Sequence, residues 1–179
     1  ILNAGLMARA SRRSAQGFEV MFAVHFLANR LLLDRLLSDG VVVPRPRGSD
    51  APAPRIVFVG SESHRSAEPI DFGRFGAYTE YGLRDGMKQY ASSKLHMLTL
   101  ASALSRRLER DGEVGVAVHA LCPGPVASGI AREAPAWLRP ALRLVFGAFF
   151  QSPMRAAEPA VHLACSRELE GRTGVYLHM

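Results

Sequence analysis

The chain of 179 residues is long enough for one domain with a single core, and two full domains are not expected at this length. Apolar residues make up 48% of it and charged residues 21%, which is typical of a globular protein and excludes disorder, collagen and coiled coil as its main class. The net charge is +6, but the arginines are scattered instead of forming one basic stripe, so the sequence does not predict a nucleic-acid interface.

The cysteine content and the hydropathy of the longer segments exclude further classes of protein. Cys122 and Cys165 are too few for a disulfide framework, and the histidines have no ligand-like spacing with them, so no metal site is predicted. Without a secretory signal pattern, this cysteine usage favours a cytoplasmic location. No segment approaches the about 18–20 uninterrupted apolar residues of a membrane span, and no stable span is predicted.

The hydrophobic pattern predicts alternating strands and helices along the chain. In chain order, we expect the tail of a strand at 1–2, a helix over 15–38, a strand over 55–60, a helix over 87–110, a strand over 114–121, helices over 137–150 and 156–166, and a strand over 173–177. Long loops are expected at 41–54 and 61–86. The β-branched run RIVFVG at 55–60 is typical of a strand buried on both faces, so the sequence predicts an α/β fold with a parallel sheet.

Tyr90 and Lys94 carry the clearest chemical signal. They stand four positions apart in the predicted helix over 87–110, so they share one face about one turn apart. A nearby ammonium favours the phenolate and lowers the pKa of a tyrosine, which suits acid–base work on a carbonyl or an alcohol. This spacing arises often by chance, and its weight comes from the motifs that precede and follow it.

Together these motifs resemble the short-chain dehydrogenase/reductase family, and within it the branch of retinol dehydrogenases and WW-domain oxidoreductases. The four matching motifs are Asn3-Ala4-Gly5, Gly60-Ser61, Tyr90 to Lys94, and Pro123 to Ser128. Three further features are similar to that branch: Gly17-Phe18-Glu19 in the first long helix, His64 after Ser61, and the long stretch between Ser61 and Tyr90.

The resemblance implies the C-terminal part of a Rossmann-like, doubly wound parallel sheet that begins at the fourth strand of the family fold. No glycine triplet of the dinucleotide-binding type precedes Asn3, so the first strands and their phosphate-binding loop are expected to be missing from an N-terminally truncated sequence. We therefore expect one partial NAD(P)-binding domain over 1–179, with a segment at 129–152 that covers the substrate.

The resemblance also implies a role for each motif residue. Tyr90 would give or take the proton of the substrate oxygen, Lys94 would lower the Tyr90 pKa and bind the nicotinamide ribose, and Ser61 would hydrogen-bond the substrate carbonyl. The cofactor is expected to be NADP, or else NAD. The residues expected to line it are Asn3, Ala4, Gly5, Tyr90, Lys94, Pro123, Gly124, Val126 and Ser128.

His25 is a departure from the family pattern. It stands where the family usually has an asparagine that holds a water in a proton relay. A histidine can also donate, accept and relay protons, so His25 is a candidate catalytic residue. A buried histidine in an altered site is an equally good interpretation.

The sequence therefore predicts an NAD(P)-dependent oxidoreductase that transfers a hydride between a nicotinamide and an alcohol or carbonyl carbon of an apolar substrate. Its apolar segment at 137–150 is expected to be helical and to face the substrate or the core. The alternative is a truncated or degenerate relative without catalysis, which acts as an interaction module. The expected partner is a small alcohol or carbonyl compound, and the family habit of forming dimers and tetramers also allows a homo-oligomer.

Overall fold

Three parallel strands form the main sheet. The computed structural model describes residues 1–8, 10–126 and 151–179. The described strands are β1 (Arg55–Val59), β2 (Glu109–Arg110), β3 (Glu113–Val114), β4 (Ala117–Cys122) and β5 (Tyr176–His178). The order in the main sheet is β1-β4-β5, and both pairs are parallel. This confirms the α/β class and the parallel sheet that the sequence predicts.

Leu2 extends this sheet beyond β1. Its backbone N–H donates to the carbonyl of Val57 over 2.7 Å, and its carbonyl accepts from the N–H of Val59 over 3.0 Å. The bridge to Phe58 is parallel, so the predicted strand tail at 1–2 is confirmed. The turn that follows therefore leaves the sheet at the same edge as the residues after β1.

Both faces of β1 and β4 are buried. Phe58 and Val118 belong to an apolar cluster with Met97, on the face covered by helix α3 (Leu83–Leu108). Val57 and Leu121 pack on the opposite face with residues of helix α4 (Pro153–Cys165). A strand covered on both faces needs apolar residues at successive positions, which is why the pattern of 55–60 is continuous instead of alternating.

The first long helix begins later than predicted and contains a π-helical turn. It consists of α1 (Val20–Phe22), a π-helical segment (Ala23–Leu27) and α2 (Ala28–Ser38) in direct succession. The expected start at residue 15 is wrong, because Glu19 has an extended backbone and its carboxylate caps the helix by accepting the N–H of Phe22 over 2.7 Å. The predicted end before Asp39 is confirmed.

The other boundaries shift by a few residues. Helix α3 starts four positions before the predicted residue 87, so the loop after β1 is shorter and contains two 3-10 turns, Glu62–Ser66 and Phe72–Arg74. The strand predicted over 114–121 corresponds to β4 from Ala117 to Cys122, whereas Val114 belongs to β3. The sequence analysis missed the hairpin of β2 and β3, although Asp111 and Gly112, with φ of 52° and 80°, are a typical hairpin-turn pair.

The segment between Val126 and Gln151 carries two sequence predictions that the structure does not address. The helix over 137–150 lies outside the described residues, and so does the substrate-covering segment except for Gln151 and Ser152. Within the described ranges, no helix is long and apolar enough to cross a membrane.

Candidate functional site

The candidate site lies where the parallel strands end. Ser61 stands two residues after the end of β1, and Cys122 ends β4 before the Pro123-Gly124 turn. Helix α3 packs beside both strands and carries Tyr90 and Lys94 in its first half. In open α/β sheets, ligands bind at the carboxyl ends of the strands, which places the predicted motif residues at the expected edge.

Tyr90 is half-buried, and its pKa differs from the sequence prediction. Burial raises the pKa of Tyr90 above its ordinary value of 10.0, while the nearby Ser61 hydroxyl lowers it to a smaller extent. Desolvation of the phenolate is the largest cause of this shift, and its direction is opposite to the lowering by Lys94 that the sequence predicts. Tyr90 and Ser61 are nevertheless close enough to act on one ligand atom.

Lys94 is almost fully buried, with 5% of its surface exposed. Its ammonium donates to the carbonyl of Val59 over 3.1 Å and lies 5.8 Å from the centre of the Tyr90 ring. Burial lowers the pKa of Lys94 to about 8. An ammonium has three N–H donors, and the Val59 carbonyl uses one of them. Lys94 is therefore equipped to hydrogen-bond further oxygen atoms, such as those of a ribose.

The turn Asn3-Ala4-Gly5 runs beside the Lys94 ammonium. All three residues are exposed, and they follow the sheet residue Leu2 directly. A Cβ added at Gly5 would lie 3.1 Å from His25 Nε2 and 3.6 Å from Lys94 Nζ. The glycine therefore allows the backbone to approach both side chains closely, and the turn lies next to Lys94.

His25 lies inside the π-helical segment, is fully buried, and is hydrogen-bonded at both ring nitrogens. The backbone N–H of Leu6 donates to Nε2 over 3.1 Å, so the ring proton is on Nδ1, which lies 2.8 Å from Ser93 Oγ. The Ser93 hydroxyl donates in turn to the Tyr90 carbonyl over 2.7 Å. Burial, with a smaller contribution from the Lys94 charge, lowers the pKa of His25 to about 3.

Two further residues belong to this network: Ser93, which the sequence analysis missed, and Asn29, which lies one helical turn after His25 and which the sequence offers either as a substitute for the family's asparagine or as a surface or core residue. Ser93 is the third residue after Tyr90, and its place inside the Tyr90-to-Lys94 motif is the only signal that could have suggested it. Asn29 is buried and donates from Nδ2 to the His25 carbonyl over 2.8 Å, which satisfies a carbonyl of the π-helical turn.

The turn after β4 holds the remaining predicted cofactor residues. Gly124 has a φ of 69°, and a Cβ there would lie 3.1 Å from the carbonyl oxygen of Met179. Val126 forms a parallel bridge with Gln151. Pro123, Gly124 and Val126 thus follow the carboxyl end of β4, as the resemblance implies, whereas Ser128 lies outside the described residues.

These residues fit one half of a nicotinamide dinucleotide. Lys94 offers free donors, Tyr90 and Ser61 offer hydroxyls, and the glycine at position 5 leaves the approach to them open. No glycine triplet with the spacing of a dinucleotide phosphate loop occurs in the chain. The described residues therefore offer groups that fit a nicotinamide and its ribose.

Comparison with known proteins agrees with this geometry. The chain is 34% identical over 178 residues to retinol dehydrogenase 14 of Mus musculus and 35% identical over 181 residues to polyprenol dehydrogenase of the same species, each match covering 98% of the chain. The crystal structure of the angucycline C-6 ketoreductase LanV with bound NADP superposes with a TM-score of 0.61 at 24% identity, over 99% of this chain and 58% of that one. No family model matches the chain.

These matches cover almost the whole chain but only part of each relative. The chain spans 49% of the retinol dehydrogenase and 50% of the polyprenol dehydrogenase, which is about half the length of each relative. The similarity nevertheless runs through almost the whole chain. The chain belongs to the short-chain dehydrogenase/reductase family.

Proposed function

We propose that the protein is an NAD(P)-dependent oxidoreductase that transfers a hydride between a nicotinamide and an alcohol or carbonyl carbon. The observation that carries this proposal is the shared position of Ser61, Tyr90 and Lys94 at the carboxyl end of β1. A hydroxyl, a phenol and an ammonium within one half-buried cleft are the groups that bind a carbonyl oxygen and exchange a proton with it.

Tyr90 is proposed to be the proton donor in the reducing direction. Because burial raises its pKa above 10.0, the phenol is protonated at neutral pH and holds the proton that a developing alkoxide needs. In the oxidising direction Tyr90 is proposed to take the proton of the alcohol as a phenolate, with the Lys94 ammonium 5.8 Å from the ring centre. Ser61 is proposed to donate to the same substrate oxygen.

The proposed cofactor is NADP, with NAD as the second choice. The nicotinamide supplies or accepts the hydride when it is bound. Lys94 would hold its ribose, while Asn3, Ala4, Gly5, Pro123, Gly124, Val126 and Ser128 would line the ring and ribose. The preference for NADP has its support in the NADP bound by LanV, since the chain contains no recognisable residue that selects the adenosine ribose.

The proposed substrate is an apolar alcohol or its aldehyde or ketone. The two named relatives are dehydrogenases of retinol and of polyprenol, both of which are long apolar alcohols. The apolar composition of 137–150, which contains three phenylalanines and a tryptophan, agrees with an apolar ligand. Burial of apolar surface stabilises a complex by about 25 cal/mol per Å². We therefore expect KM to depend on the length of the apolar chain of the alcohol.

His25 is proposed to position the site and not to carry protons. Its two ring nitrogens are engaged by Leu6 and Ser93, and burial lowers its pKa to about 3, so the ring is neutral at neutral pH. It joins the turn that follows Leu2 to the helix that carries Tyr90. The proposed role of His25 is therefore structural and not that of a proton relay. It holds the proposed cofactor turn at a fixed distance from Tyr90.

The test is the rate of NADPH-dependent reduction for a panel of apolar and polar carbonyl compounds. We expect Tyr90→Phe to lose about 10²–10⁴-fold in kcat, because it removes the proton donor without changing the ring. Tyr78→Phe is the matched control, since the Tyr78 hydroxyl contacts Ser11 and not the cleft. Equal rates for Tyr90→Phe and the unmodified protein would overturn the assignment.

The alternative is a non-catalytic relative, and His25 favours it because the resemblance implies an asparagine at this position. Quenching of nicotinamide fluorescence separates the two functions before any substrate is known. Saturable binding of NADPH that is lost in Lys94→Met is expected for the oxidoreductase. Absence of saturable binding to the folded protein is the result expected for an interaction module.

A further inference from the structure

A second cluster of reactive side chains lies at the carboxyl end of the sheet, and neither Tyr90 nor Lys94 belongs to it. Glu62 follows Ser61 at the start of a 3-10 turn after β1, Cys122 is the last residue of β4, and His178 is the last residue of β5. Because the three strands are parallel neighbours, their ends bring these residues together although they are far apart in sequence. One ligand atom from each lies within 4.8 Å of the others.

The ligand atoms of this cluster lie close to one another. Glu62 Oε1 pairs with Arg65 Nε at 2.6 Å, while Oε2 is shielded from solvent and lies 3.0 Å from His178 Nε2. That short approach does not have the geometry of a hydrogen bond, so Oε2 has no hydrogen-bond partner among the described residues. The pair is therefore arranged as two ligands of a common centre would be.

The sulfur of Cys122 completes the set. The thiol is buried, and Sγ accepts the backbone N–H of Glu62 over 3.1 Å. Such an N–H contact orients a sulfur ligand and compensates part of the charge of a thiolate. His178 is half exposed, so the cluster opens to solvent on one side, where a metal ion and a water ligand can enter.

The chemistry of these donors selects one class of ion. A thiolate, an imidazole and a carboxylate are the ligands of Zn²⁺, whereas Ca²⁺ and Mg²⁺ prefer oxygen ligands alone. Tetrahedral zinc with bonds of about 2.0–2.3 Å needs its ligand atoms about 3.3–3.6 Å apart, and the three ligand atoms here lie within 4.8 Å of one another. We propose that Glu62, Cys122 and His178 form a zinc site with one open coordination position, which ties together the ends of β1, β4 and β5.

The test is a titration of reduced, tag-free protein with Co²⁺, which replaces Zn²⁺ and reports its ligands by colour. We expect a thiolate-to-cobalt charge-transfer band that saturates at one equivalent and disappears when Zn²⁺ is added. Cys122→Ser should abolish the band, and Cys165→Ser is the matched control because Cys165 is the other free cysteine and is exposed on α4. His178→Gln should weaken binding at least tenfold.

The outcomes are separable from those for hydride transfer, because the readout needs neither nicotinamide nor substrate. No saturating band in the unmodified protein overturns the proposal, and so does a band that survives Cys122→Ser. If Cys122→Ser does not fold, Glu62→Gln and His178→Gln decide the matter, since both side chains are partly exposed. Unchanged Co²⁺ affinity in both of those variants would also overturn it.

Discussion

The ring of His25 lies with Nδ1 2.8 Å from the hydroxyl oxygen of Ser93, and this hydrogen bond joins two segments that are 68 positions apart. It connects the π-helical turn to α3, the helix that carries Tyr90 and Lys94. Through Nε2 the same ring accepts the N–H of Leu6, just after the proposed cofactor turn. One buried imidazole therefore fixes the positions of both sides of the cleft.

Removing the Ser93 hydroxyl should destabilise the protein. Ser93→Ala leaves the buried Nδ1–H of His25 without its acceptor, which costs about 1–3 kcal/mol of unfolding free energy. Chemical denaturation monitored by circular dichroism measures the change. Ser92→Ala is the control because Ser92 is the adjacent residue and is only half-buried. Equal stability of the two variants would mean that the His25 hydrogen bond contributes nothing.

The stability of the protein should fall on acidification, partly through His25. Its pKa is 6.5 when unfolded and about 3 when folded, so between these values the unfolded chain binds the extra proton and is favoured as pH falls. The slope approaches about 1.4 kcal/mol per pH unit for this residue, and buried His96 and His119 act with the same sign.

The variant His25→Asn isolates the contribution of this residue. The unfolding free energy measured at pH 4.5 and at pH 7 should differ less in His25→Asn than in the unmodified protein. His162→Asn is the control, because His162 is exposed on α4. An identical pH dependence in all three proteins would contradict the burial of a neutral His25.

Binding of NADPH should weaken above pH 8. Burial lowers the pKa of Lys94 to about 8, so the ammonium loses its proton and its charge over the next pH unit. A hydrogen bond from a charged donor contributes about 1.5–3 kcal/mol, which is roughly a tenfold to hundredfold effect on Kd. Lys94→Gln should bind weakly at every pH, while Lys88→Gln on the exposed face of α3 should keep the dependence.

Gly124→Ala should cost more stability than Gly171→Ala. The two glycines have φ values of 69° and 70°, so the backbone strain of an alanine, about 1–2 kcal/mol, is the same at both. Only at Gly124 does the new Cβ also meet a carbonyl oxygen, at 3.1 Å, whereas nothing lies within 4 Å at Gly171. Thermal unfolding of both variants compares the two costs, and a larger loss at Gly171 would contradict the close contact.

Local features of the protein could be predicted from short segments of its sequence. The continuous apolar run at 55–60 predicts β1, and the helical spacing of Tyr90 and Lys94 predicts their common face, because both follow from the geometry of one short segment. The start of the first helix at Val20 was missed, since the capping contact of Glu19 depends on side-chain geometry that composition does not reveal.

The contacts between the candidate residues, and their effects on one another's pKa, depend on the tertiary structure. The Tyr90 pKa is raised and not lowered, because burial depends on which elements cover the ring. The contacts of His25 with Leu6 and Ser93, and the meeting of Glu62 with Cys122, join positions between 19 and 68 residues apart. A sequence pattern reports periodicity along one element, whereas these distances are set by how separate elements pack, and that is the physical reason why they could not be predicted.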